Sequence, residues 1–119
     1  MLNKIKEEGI VAVIRAKNHE EAIGYINACV NGGVKAIELT YTIPNVVELI
    51  KYVCEKYDDV LVGVGSVLNR KMAKDAIDAG AAYVVSPGFS DEVNTICHEM
   101  NILYLPGCMT VTEVMNAMD

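Results

Sequence analysis

The chain has no tryptophan, a single phenylalanine and only three prolines among its 119 residues. Its core must therefore be built from aliphatic side chains, tyrosines and methionines. Positive charge is scarce: 10 Lys and Arg face 16 Asp and Glu, a net charge of −6. No basic stripe is present, so nucleic acid is not an expected partner. No apolar run approaches the roughly 20 residues of a membrane helix, so no membrane partner is expected either. The segment Met1–Glu8 lacks the apolar stretch of a secretory leader. Cysteine pairs at metal-ligand spacing are also missing. Cys29, Cys54, Cys97 and Cys108 stand far apart, and only His19 and His98 could join them, so neither a zinc site nor any other metal is expected. Free thiols without a leader point to the cytoplasm.

What is there is an apolar fraction of 52% with six soft-packing methionines. That is enough for one domain spanning residues 1–119. The pattern alternates strand and helix. After a short helix over residues 1–8, broken by Gly9, the run Ile10–Ile14 predicts a strand covered on both faces. Ala22, Ile23, Ile26, Cys29 and Val30 form one stripe of a helix over His19–Asn31, which Gly32-Gly33 ends. Val34–Thr40 is the second predicted strand. Pro44 suits the first turn of a third helix, whose stripe is Val46, Val47, Ile50, Val53, Cys54 and Tyr57. Val60–Val64 follows as a strand, and then a helix capped by Asn69 and closed by Gly80. Ala82–Val85 is the fourth strand and Ser90 caps the next helix. Ile102–Leu105 is the fifth strand, and Thr110-x-x-Glu113 is a capping box that opens a last helix.

Strands recur roughly every 21–25 residues, a spacing of βα units with right-handed crossovers. Two architectures accommodate five such units. One is a complete doubly wound domain, which would be a non-catalytic binding module. The other is part of a (β/α)8 barrel, which needs about 200–250 residues in full. Ala36, Glu38 and Thr40 share one face of the second strand, and a carboxylate there suits a barrel lumen better than a sheet covered twice.

In either architecture ligands bind where strands end. Those ends carry Arg15, then Glu38 through Thr42, Gly63-Val64-Gly65-Ser66, Ser86-Pro87-Gly88 and Pro106-Gly107. Glu38 in a buried strand should have a raised pKa and could exchange protons near neutral pH. A structural pair with Arg15 is the alternative. Arg15, the one cation at a strand end, could bind a carboxylate or phosphate. Gly63-x-Gly65-Ser66 could admit substrate to the backbone, or mark tight strand packing. Ser66 has no evident histidine partner for nucleophilic chemistry. His19 and His98 read as solvated surface residues.

These strand ends occur in one order: Ile10–Ala16, then Gly32-Gly33-Val34 leading to Ile37–Pro44, then Val62–Val67, Val85–Gly88 and Leu105–Thr110. Together they resemble the 2-keto-3-deoxy-6-phosphogluconate / 4-hydroxy-2-oxoglutarate aldolases over nearly the whole chain. The resemblance implies an α/β fold of the TIM-barrel family, with about five βα units present as its N-terminal part. It also implies a cytoplasmic homotrimer that cleaves a 2-keto-4-hydroxy acid to pyruvate and an aldehyde through a lysine Schiff base, without cofactor or metal. Glu38 matches the family's proton-shuttling glutamate. Arg15, Thr40, Thr42, Ser66 and Pro87 become the substrate-binding set. Ser66 stands where threonine is common, and Thr42 stands where some members carry arginine. The family's Schiff-base lysine lies on a sixth strand, beyond the helix that Thr110 opens. Lys17 is the nearest lysine here, and it is a poor substitute. The 119 residues alone are therefore expected to be inactive. Their first and fifth strands should be raw edges, and lumen-facing residues such as Val11, Val13 and Ala36, whichever parity of each strand points inward, should be exposed.

Overall fold

The computed structural model describes residues 1–119 throughout. Six helices and five strands alternate after the first helix: α1 (Leu2–Glu8), β1 (Ala12–Ile14), α2 (His19–Asn31), β2 (Ala36–Thr40), α3 (Val46–Lys56), β3 (Leu61–Gly65), α4 (Arg70–Asp78), β4 (Tyr83–Ser86), α5 (Asp91–Glu99), β5 (Leu103–Pro106) and α6 (Val111–Met118). All neighbouring strands are parallel, and the order is β1-β2-β3-β4-β5. This order decides between the two architectures. Right-handed crossovers between sequential neighbours put the crossover helices α2 to α5 on the same face of the sheet. A flavodoxin-like doubly wound sheet instead reverses at a switch point. The fold is a partial (β/α)8 barrel, and the doubly wound alternative falls.

Capping follows the sequence closely. Asn18, Asn69, Ser90 and Thr110 each accept a hydrogen bond from a backbone N–H in the first turn of their helix, and Glu113 completes the box with Thr110. Gly9, Gly33 and Gly80 take the positive φ that closes α1, α2 and α4. Pro44 departs from expectation. It precedes α3 rather than entering its first turn, because Asn45 turns the chain through a left-handed conformation (φ 53°) before the helix starts.

Strand parity sorts the sheet into two faces. Ile14, Ile37, Leu39, Val62, Val64 and Val84 point toward the helices and join one core cluster with Ala22, Ile26, Leu49, Ile50, Val53, Ala73, Ala76, Val93 and Ile96. Leu49 belongs to the buried face of α3, although the stripe read from the sequence omitted it. The opposite face carries a register layer of Val13, Glu38, Gly63, Tyr83 and Leu103. Here two expectations fail. β1 is three residues long and is not covered on both faces: Ile10 is 60% exposed, and Val13 is 48% exposed, as expected of a half barrel. Ala36, expected to be open, is fully buried.

The four cysteines are free. No helix is long and apolar enough to cross a membrane.

Candidate active site

The C-terminal ends of the strands gather the residues singled out from the sequence. Glu38, at the centre of β2, lies on the helix-free face. Arg15 follows β1 with the same parity, one step above Val13, the register partner of Glu38. Burial pushes the Glu38 carboxyl above the ordinary glutamate range, and the Arg15 guanidinium partly opposes that shift. The two are electrostatic neighbours. The salt bridges of the protein lie elsewhere, between Lys35 and Asp59, Arg70 and Glu99, Lys71 and Asp75, and Lys74 and Asp78. Glu38 is thus not locked into an ion pair, and the Arg15 side chain is exposed.

The glycines of β3 explain how the carboxyl is accommodated. A Cβ placed on Gly65 would collide with Glu38 Oε1 and stand 2.7 Å from its Cδ. A Cβ on Gly63 would strike the ring of Tyr83. Each glycine leaves room for a side chain from a neighbouring strand, Glu38 from β2 and Tyr83 from β4. Of the two roles open to these glycines, close packing is the one seen, and the space at each is filled by the protein's own side chains. The Tyr83 hydroxyl donates to Ile37 O at 2.9 Å, and its ring is buried. Sequence reasoning missed Tyr83. The signal was an aromatic residue at inward parity beside a glycine strand, but only the register shows which glycine it fills.

Thr40 is fully buried. Its hydroxyl donates to Ile14 O at 3.3 Å and lies 2.5 Å from Thr42 Oγ1. Since Thr40 gives its proton to Ile14, Thr42 is the donor between the two threonines. This relay ties the end of β2 to the end of β1, just below Arg15, and leaves Thr42 exposed at the rim.

Ser66 follows β3 with φ 60°. A non-glycine residue there is strained, a condition frequent at ligand sites. Gly65 O accepts from Tyr41 N at 3.0 Å and Val85 O accepts from Val67 N at 3.2 Å, so the backbone on both sides of Ser66 is pinned to neighbouring strands. Pro87 is exposed after β4. Its carbonyl is approached so closely by Gly107 that a Cβ there would overlap it, while Gly107 N donates to Ser86 O at 2.9 Å. The β4 and β5 ends are thereby drawn together.

His19 is not the solvated residue expected. Its Nε2 lies 2.8 Å from Pro44 O and 3.0 Å from Asn45 O, so its N–H clamps the loop after β2 to the start of α2. The clamp and the threonine relay join the same two loops, and these loops carry Arg15 and Thr42. His98 is exposed on α5, as expected.

The sequence profile of the KDPG and KHG aldolases matches residues 1–119. The chain belongs to that family. The KHG/KDPG aldolase of Escherichia coli strain K12 is 34% identical over 110 residues, covering 92% of this chain and 52% of that protein. The 2-dehydro-3-deoxy-phosphogluconate aldolase of Dickeya dadantii matches at the same identity and coverage. The chain therefore spans about half the length of the curated relatives it matches. Among solved structures, a 4-hydroxy-2-oxoglutarate/2-dehydro-3-deoxyphosphogluconate aldolase from TTHB1 superposes with a TM-score of 0.84 at 32% identity, over 98% of this chain and 57% of that one. A KDPG aldolase from Legionella pneumophila, with pyruvate captured as a covalent carbinolamine, gives 0.84 at 28% identity over 91% and 52%.

Proposed function

We propose that residues 1–119 form the N-terminal part of a class I aldolase barrel and supply the proton-transfer and carboxylate-binding side of its site. The substrate is 2-keto-3-deoxy-6-phosphogluconate or 4-hydroxy-2-oxoglutarate, cleaved to pyruvate and an aldehyde. One observation carries the reading. A single half-buried carboxyl, Glu38, stands mid-strand on the helix-free face of β2 with a raised pKa, outside any salt bridge and within electrostatic reach of Arg15. The Legionella relative's pyruvate carbinolamine supports the same chemistry.

In this chemistry an amine adds to the keto carbon and forms a carbinolamine. Loss of water then gives an iminium ion, which accepts the electron pair when the C–C bond breaks. Glu38 gives a proton to the departing hydroxyl and takes one from the substrate's C4 hydroxyl as the aldehyde forms. Arg15, Ser66 and Thr42 hold the carboxylate, Pro87 lines the rim, and Thr40 positions Thr42. A cytoplasmic homotrimer belongs to the same reading.

The amine does not come from these residues. Lys4 and Lys6 lie on α1, Lys51 and Lys56 on α3, and Lys71 and Lys74 on α4; Lys35 precedes β2 and Lys17 lies in the exposed loop after β1. The 119 residues by themselves accordingly bind a 2-keto acid without turning it over. Titrating the isotopically labelled chain with pyruvate should shift the amides of Arg15, Thr42, Ser66 and Gly88, and borohydride should trap no lysine adduct. Shifts confined to the outer helices, or a trapped pyruvyl-lysine, would overturn the reading.

A further inference from the structure

We propose that Tyr83 is a positioning residue for Glu38, setting both the place of its carboxyl and the ease with which it gains and loses a proton. The inference rests on the aldolase reading only for its consequence; its geometry stands alone. In the layer Val13–Glu38–Gly63–Tyr83–Leu103, the place between Glu38 and Tyr83 belongs to Gly63 and has no side chain of its own. The Tyr83 ring fills it, as the collision of a Gly63 Cβ with that ring shows. The ring therefore reaches across β3 toward β2. There its hydroxyl donates to Ile37 O, the carbonyl of the peptide that joins Ile37 to Glu38. The Glu38 carboxyl lies over Gly65, two residues along β3 from the Gly63 space that the ring fills. A tyrosine that grips the peptide on which Glu38 hangs, with its ring on the same face just below, would limit both the rotation of that side chain and its access to water.

The groups facing Glu38 are few. From β1 comes Arg15, whose charge favours the ionised carboxyl, and from β4 comes Tyr83; β3 offers glycine backbone. The influence runs both ways, because burial and the nearby Glu38 charge together push the Tyr83 phenol well above its ordinary value. Tyr83 thus stays protonated and remains a donor at any pH at which Glu38 titrates. Desolvation by burial favours the neutral Glu38 carboxyl, while Arg15 restrains it. The balance leaves Glu38 able to act as acid and base in turn.

The test is a titration of the Glu38 carboxyl carbon by NMR in the chain and its Tyr83 variants. Tyr83→Ala opens the Gly63 space to water and should bring the Glu38 midpoint down toward the ordinary glutamate value. Tyr83→Phe restores the wall and should bring the midpoint back toward the wild-type one. If Tyr83→Ala does not fold, Tyr83→Val opens part of the same space and should give a smaller fall of the same sign. A midpoint unmoved by the Ala or Val variant, or lowered as much by Phe, would overturn the assignment. The readout needs no turnover, so a failure to bind or trap pyruvate, which would sink the aldolase reading, leaves this result to be judged separately.

Discussion

The helix-facing and helix-free sides of the sheet are made by the same five strands yet obey different rules. On the covered side the central positions of the sheet, Ile14, Ile37, Leu39, Val62, Val64 and Val84, are aliphatic, buried and part of one core cluster. On the bare side one layer holds a valine, a glutamate, a glycine, a tyrosine and a leucine, with Val13 about half exposed. The first side holds the protein together through burial and close packing. The second tolerates a half-buried carboxyl, two glycines that each admit a neighbour's side chain, and a strained Ser66. The main apolar core and the candidate site thus lie on opposite sides of a single layer of backbone.

The largest effect should come from the covered side. Leu39→Ala removes a fully buried side chain and should cost about 2–5 kcal/mol. Val13→Ala, on the bare side of the neighbouring strand, should cost less than about 1 kcal/mol. Urea unfolding of both variants measures the asymmetry, and equal losses would break it.

Gly65→Ala should be next, at about 1–3 kcal/mol, because its methyl group meets the Glu38 carboxyl. The cost should shrink when Glu38 is also replaced by Ala, since the collision partner is then gone. A double-mutant cycle without coupling would show that Gly65 matters for its backbone alone.

Glu38 itself should make stability depend on pH in an unusual direction for a carboxylate. Its folded pKa lies above the ordinary value, so the folded state keeps a proton that the unfolded state has released. The stability that Glu38 contributes is therefore greatest below the ordinary glutamate pKa and is lost as pH rises through the window up to the folded value. Glu38→Gln should flatten that slope and raise stability at neutral pH. Arg15→Ala should steepen it, because the charge that lowers the Glu38 pKa is lost. Unfolding midpoints from pH 4 to 8 would decide, and a parent chain whose stability relative to Glu38→Gln did not fall as pH rises would refute the assignment.

The smallest effect should be Ser66→Gly, which relieves the positive φ at about 1 kcal/mol or less of gained stability. Pyruvate-induced shifts at its amide should weaken at the same time, as the Ser66 hydroxyl is lost.

Much of the covered side was legible in advance. The stripe of α2, most of that of α3, the capping by Asn69, Ser90 and Thr110, and the glycines after α2 and α4 are local signals that appear where the sequence placed them, Leu49 being the position missed on α3. The face shared by Ala36, Glu38 and Thr40 was legible too. The length of β1 was not, since an unbroken apolar run carries no mark of where pairing with β2 begins. Nor was the clamp from His19 to the Pro44 and Asn45 carbonyls, which needs two loops 25 residues apart to meet.

By itself the sequence determined which residues alternate, which helices form, where they stop and which strand ends hold Arg15, Glu38, Thr42 and Ser66. These follow from the two-residue period of a strand, the 3.6-residue period of a helix and the conformational limits of glycine and the capping residues. Only the tertiary structure decided that the sheet runs in chain order with the crossover helices α2 to α5 on one side. Only it decided that Gly65 receives Glu38 and that Gly63 receives Tyr83, whose hydroxyl reaches a carbonyl 46 residues away. The reason is that parity is a property of one strand, whereas the neighbour across the ladder is chosen by register, and register is settled by the burial of all the strands together.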